Sequence, residues 1–93
     1  MLINREENHR HGRFFIQQDG KQLAQMVYRM DTPAKMVIEH TEVDDSLQGK
    51  GIGLQLVSKA VDYAREGNIK IVPVCSFAAS VFQKKEEFKD VLA

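Results

Sequence analysis

The segment EHTEVDDSLQGKGIG, residues 39–53, decides how the rest of the chain is read. Its opening closes a longer stretch, KMVIEHTEV (Lys35 to Val43), rich in β-branched residues and read as a strand. Its end sets Gly49, Gly51 and Gly53 at alternate positions. Beyond Gly51 the period changes: Leu54, Val57, Val61 and Ala64 recur at spacings of three and four, one stripe of a helix that Gly67 is expected to stop. A glycine-rich turn therefore leads from a strand into a helix. The first N–H groups of such a helix lack internal partners and its dipole favours negative charge, so phosphate is the expected guest. The three glycines can take left-handed conformations and leave room for a ligand to approach the main chain, and Lys50 supplies a cation beside Asp44 and Asp45. A diphosphate suits this turn better than a base or a sugar. Two familiar phosphate loops fail on spelling. The Walker loop needs Ser or Thr after Gly-Lys, where this chain has Gly51, and the dinucleotide fingerprint needs its third glycine one place beyond Gly53.

Upstream, RFFIQQDGKQLAQMVYRM (13–30) carries two partly alternating apolar runs around Asp19-Gly20, a pair that suits a tight hairpin. Arg13 to Gln18 and Gln22 to Met30 are read as antiparallel strands, and DTPA, with Pro33, breaks the chain before the third. Downstream, IKIVPVC (69–75) is a short apolar strand, and Ser76 is a candidate N-cap for a second helix within SFAASVFQKKEEFKDVLA. The run KKEEFKD reads as a solvated helix face. The order strand, strand, strand, helix, strand, helix makes an α/β (α+β) fold with a mixed, mainly antiparallel sheet and two to three helices. The crossover helix makes the third and fourth strands parallel, with ligands expected at their carboxyl ends. Pro73 cannot donate to a ladder, so this pair should splay near its end and admit an extended ligand.

With 93 residues, the chain is expected to form one domain, 1–93, in which residues 1–12 are a polar, mobile segment. His9 and His11 lie in that segment as a metal-like pair with nothing to complete a site, and no metal is assigned. Lys and Arg number 13, as do Asp and Glu, so no global field draws in nucleic acid or an anionic membrane. No apolar run approaches the roughly 20 residues of a membrane span, and the polar start argues for a cytoplasmic location. The single cysteine, Cys75, can form no intrachain disulfide and precedes the proposed second helix, where a helix N-terminus lowers a thiol pKa. His40, in the second half of the third strand, is expected at the same sheet edge, so a base and a nucleophile would share one cleft.

QGKGIG, with Gln48, Gly51 and Gly53 in the order Gln-x-x-Gly-x-Gly, resembles the acetyl-CoA loop of the GNAT N-acetyltransferase superfamily. Together with EHTEV and PVCSF in this order, it is similar to the short, single-domain branch of that superfamily over Arg13 to Ala93. The resemblance implies a GNAT-like fold with the cofactor, acetyl-CoA or coenzyme A, wedged between the splayed strands. It implies that the backbone of Thr41, Glu42 and Val43 pairs with the pantetheine arm and that Gln48, Gly49, Lys50, Gly51, Ile52 and Gly53 hold the pyrophosphate. His40 and Cys75 map onto the branch's suspected catalytic pair, His40 as base and Cys75 as acyl acceptor. Two departures stand out: typical members carry further helices after the first strand that shape the acceptor site, and KKEE stands where the branch often has His-Pro. The expected activity is acetyl transfer from acetyl-CoA to a small-molecule or peptide amine, directly or through acetylated Cys75. The alternatives are a non-catalytic module that binds CoA or acyl-CoA and an interaction domain. With few helices to cover its sheet, the chain is also expected to form a homodimer.

Overall fold

A computed structural model describes all residues, 1–93. Five strands form one sheet in chain order: β1 (Asn4–Asn8), β2 (His11–Gln18), β3 (Lys21–Thr32), β4 (Lys35–Val43) and β5 (Lys70–Pro73). β1 to β4 are antiparallel, and β5 joins β4 in parallel. The crossover is α1 (Ile52–Gly67), α2 (Ser76–Lys84) follows β5, and short 3-10 turns lie at Asp45–Leu47 and Glu86–Val91. The architecture is the GNAT-like mixed sheet expected from the sequence.

Alternation along the strands sorts the side chains. Phe14 and Ile16 of β2, Met26 and Tyr28 of β3, and Met36 and Ile38 of β4 meet Leu56, Val57, Ala60 and Val61 of α1 in one buried cluster. Both helices lie on that face. The other face carries Gln25, Val27 and Arg29, with the Arg13 guanidinium 4.0 Å from the centre of the Phe15 ring.

The Asp19-Gly20 turn forms as expected, with both residues at positive φ. Residues 1–12 differ from expectation, because residues 4–8 are the edge strand β1, joined to β2 by a turn that puts His9 and Arg10 at φ 53° and 73°. An edge strand needs ladder bonds more than apolar side chains, and polar contacts hold this one inward. Arg5 stacks 4.3 Å over Tyr63 and donates to the Tyr28 hydroxyl at 2.9 Å, and that hydroxyl donates to Glu7 at 2.8 Å. Gly12 makes this possible, since a Cβ there would lie 2.4 Å from Tyr28 Cζ.

Two helix ends also differ by a residue. Asn68, at φ 53°, takes the left-handed position after α1 in place of Gly67. Cys75 is the N-cap of α2, and Ser76 is its first residue.

Candidate functional site

The register of β4 with its two neighbours creates the site. β5 pairs with β4 only as far as Ile38↔Pro73; there the amides of Val74 and Cys75 both donate to the Ile38 carbonyl, and the chain turns into α2. β4 runs on through Val43 with no strand beside it on that side. The register with β3 shifts between Val27 and Tyr28, which face His40 and Ile38, and Glu39 is the extra residue of that bulge. Beyond it, the Asp44 amide donates back to Leu23 of β3, so alternation turns the amides of Thr41 and Val43 toward the open side and that of Glu42 toward β3.

On the open side lies a groove of about 450 Å³. Its base is Thr41 and Val43, one wall runs from Leu47 through Gln48 and the glycines to Leu54, and α2 supplies the other wall with Phe77, Ser80, Val81, Lys84 and Lys85. Gly49 and Gly51 adopt φ 79° and 72°, which favours glycine, and a Cβ at either would meet open space. The amides of Gly49, Gly51, Ile52, Gly53 and Leu54 find no carbonyl within the chain, whereas that of Lys50 donates to Leu47. Five N–H donors at a helix N-terminus make an anion cradle. Gln48 secures the strand end by donating from Nε2 to the Val43 carbonyl at 3.0 Å.

Gly53 departs from the expected left-handed glycine. It is helical and buried, and a Cβ there would lie 2.5 Å from Phe77 Cζ, so its small size serves the packing of α1 against α2. The Lys50 side chain is not part of the groove wall. Glu42 aims its carboxylate away from the groove, accepting from Gln25 at 2.7 Å and meeting His40 Nε2 at 3.3 Å.

Cys75 stands just behind the groove wall, with its Sγ 3.5 Å from Thr41 Oγ1. Burial pushes the thiol pKa up, but hydrogen bonds from the Thr41 hydroxyl and from the amides of Ala78, Phe77 and Thr41 outweigh it and hold the thiol below its ordinary value. Cys75 is the N-cap residue of α2, so its sulfur sits at the positive end of the helix. His40 is not brought to it: the exposed imidazole lies with Glu42 on one face of β4, and Thr41 with Cys75 on the other. The sequence reading also missed the α2 wall. Its signal was the spacing of Phe77, Ser80, Val81, Lys84 and Lys85, one helical face that carries apolar, hydroxyl and cationic groups in order along the axis.

Comparison with known proteins agrees with the fold. The family model for a GCN5-related N-acetyl-transferase matches residues 13–91. The solution structure of a GCN5-like N-acetyltransferase candidate from Staphylococcus aureus is 31% identical, covers 97% of this chain and 87% of its own, and superposes with a TM-score of 0.73. Two more distant structures share the fold. A ribosomal-protein-alanine N-acetyltransferase from Brucella melitensis is 18% identical, with a TM-score of 0.67 over 83% of this chain and 62% of its own. An acetyltransferase from Clostridium acetobutylicum, solved with acetyl-CoA, is 21% identical, with a TM-score of 0.64 over 81% and 56%. Among curated proteins, none matches the sequence. With the family model spanning residues 13–91, the chain belongs to the GCN5-related N-acetyltransferase family.

Proposed function

We propose that the chain moves an acetyl group from acetyl-CoA to an amine and that Cys75 carries the group between them. The observation behind this reading is the continuity of the groove: five unpartnered amides lead to the open edge of β4, and that edge ends at a thiol with a lowered pKa. Such a donor set suits an extended chain that bears a diphosphate, and the Clostridium acetobutylicum relative is solved with acetyl-CoA. When bound, acetyl-CoA supplies the acetyl group as a thioester.

In this reading the amides of Gly49, Gly51, Ile52, Gly53 and Leu54 hold the diphosphate, and the Val43 amide pairs with the arm. The Cys75 thiolate attacks the acetyl carbon; the new C–S bond forms as the bond to the CoA sulfur breaks. The acceptor amine then attacks acetyl-Cys75, the N–C bond replaces the C–Sγ bond, and the surplus amine proton passes to solvent. Thr41 and the α2 amides, not His40, lower the thiol pKa and so favour the thiolate. His40 stands on the other face of β4, so this reading gives it no part in activating Cys75.

A second reading, a module that binds CoA without turnover, draws on the tight turns that join β1 to β4 and place no helix over the thiol end of the groove. One experiment separates the two. Incubation with acetyl-CoA followed by intact-mass and peptide analysis is expected to find one acetyl group on Cys75 in the wild type and in His40→Ala, and none in Cys75→Ala. Acetyl transfer to an amine at the wild-type rate by Cys75→Ala would overturn the covalent route, and CoA binding with neither acetylation nor transfer would leave the binding module.

A further inference from the structure

The groove has chemically distinct ends, and only one of them belongs to the acetyl group. α2 starts directly after Cys75, and the groove-facing residues run from Phe77 beside the thiol to Lys84 in the last turn and Lys85 at the C-cap. At 1.5 Å per residue, the nine-residue step from Cys75 to Lys84 carries the wall about 13 Å away from the sulfur. Lysines at a helix C-terminus complement its dipole wherever they point. Here both face the groove, and neither ammonium meets a carboxylate or any other acceptor in the chain, while the neighbouring Lys89 is paired with Glu86 at 2.7 Å. The glycine-loop amides lie across the groove from α2, so the amide cradle and the two cations line one channel, whose base at Thr41 touches the thiol behind the wall.

The geometry points to a phosphomonoester subsite at Lys84 and Lys85, which takes the 3′-phosphate on the nucleotide end of CoA and so distinguishes CoA from its dephosphorylated precursor. This inference rests on the acetyl-CoA reading of the groove. The diphosphate is already met by five backbone donors, whose number suits its non-bridging oxygens. A terminal phosphate carries about −1.5 to −2 charges at neutral pH, and two mobile ammonium groups match that better than fixed amides do. Lys50, the cation expected at this site from the sequence, lies outside the groove wall, which leaves Lys84 and Lys85 as the cations that line it.

Calorimetric titration of the full chain with CoA and with dephospho-CoA tests the inference, because the ligands differ only in that phosphate. The wild type is expected to bind CoA about tenfold more tightly, the product of two exposed charge pairs, with the preference shrinking as salt rises. In Lys84→Ala/Lys85→Ala both ligands are expected to bind with the wild-type affinity for dephospho-CoA. Because both side chains project into the groove or solvent, that variant should melt within a few degrees of wild type. Equal wild-type affinities, or a preference that survives the double substitution, would overturn the subsite and leave the acetyl-CoA reading standing. Failure of the wild type to bind either ligand would overturn that reading, and the subsite with it.

Discussion

The contact between Gly53 and Phe77 makes a prediction whose sign depends on background. A Cβ on Gly53 would lie 2.5 Å from Phe77 Cζ, and ordinary contact begins at 3.4 Å, so the ring edge must retreat by about 0.9 Å in Gly53→Ala. The ring is 40% exposed and its neighbours on α2 are fixed, so it can only swing toward the groove. Moving it off its rotamer and loosening its packing costs about 1–2 kcal/mol. Replacing a helical glycine by alanine gains up to about 1 kcal/mol, and less in the first turn, where Gly53 sits. The net expectation is a loss of about 1 kcal/mol, which in a domain of this size lowers the melting temperature by about 4–8 °C. In the Phe77→Ala background the clash is gone and only the helix gain remains, so the same substitution should raise the melting temperature by a few degrees. Thermal melts of all four proteins give the coupling, expected at about 1–2 kcal/mol, within the range for residues in contact. Because the displaced ring narrows the groove, Gly53→Ala alone should also weaken CoA binding. A melting shift of the same sign and size in both backgrounds would refute the packing argument.

Three further outcomes follow from other contacts. Gly12→Ala drives a Cβ to within 2.4 Å of the buried Tyr28 ring and 2.9 Å of the Glu6 carbonyl, so a loss of about 2–3 kcal/mol and a fall in melting temperature above about 10 °C are expected, and a near-neutral melt would contradict the packing of β1 on β2. Thr41→Val removes a hydroxyl that favours the Cys75 thiolate, so the pH profile of iodoacetamide alkylation should move to higher pH with a several-fold slower rate at neutrality, and an unmoved profile would take Thr41 out of the thiol's activation. Tyr28 ties stability to alkaline pH: burial, with Glu7 assisting and Arg5 opposing, pushes its phenol from 10.0 up to about 12, so the folded state favours the neutral form. That contribution, about 2–3 kcal/mol, is fully present below pH 10 and is lost as pH rises toward 12. Tyr28→Phe should show a smaller fall in stability over that window in urea titrations, and an equal fall would place the alkaline transition elsewhere.

Much of the fold was legible because its elements carry local signals. Asp19-Gly20 announced a turn, the period change at Gly51 announced α1, and Pro73 announced the end of β5. β1 was hidden because its inward contacts are made by Arg5 and Glu7, and no apolar alternation marks a strand held by a guanidinium and a carboxylate. The cradle of the site was legible in the glycines. The relation of His40 to Cys75 was not, since one extra residue at Glu39 decides which face the imidazole takes, and a bulge leaves no trace in composition. Lys84 and Lys85 were read as solvated charge because what they face depends on how α2 sits against α1.

The fork at Ile38 also bears on how such a protein could change its acyl preference. One carbonyl receives two amides, from Val74 and Cys75, so the proposed nucleophile is clamped to a fixed rung of β4 and does not ride on a loop that can be retuned by degrees. The rungs beyond it are counted from a bulge, and a bulge is either present or absent. Selection for longer acyl groups would therefore meet a staircase: inserting or deleting a residue near Glu39 would shift the registration of strand and sulfur by a whole step, and intermediate settings would have to come from the groove's side chains alone.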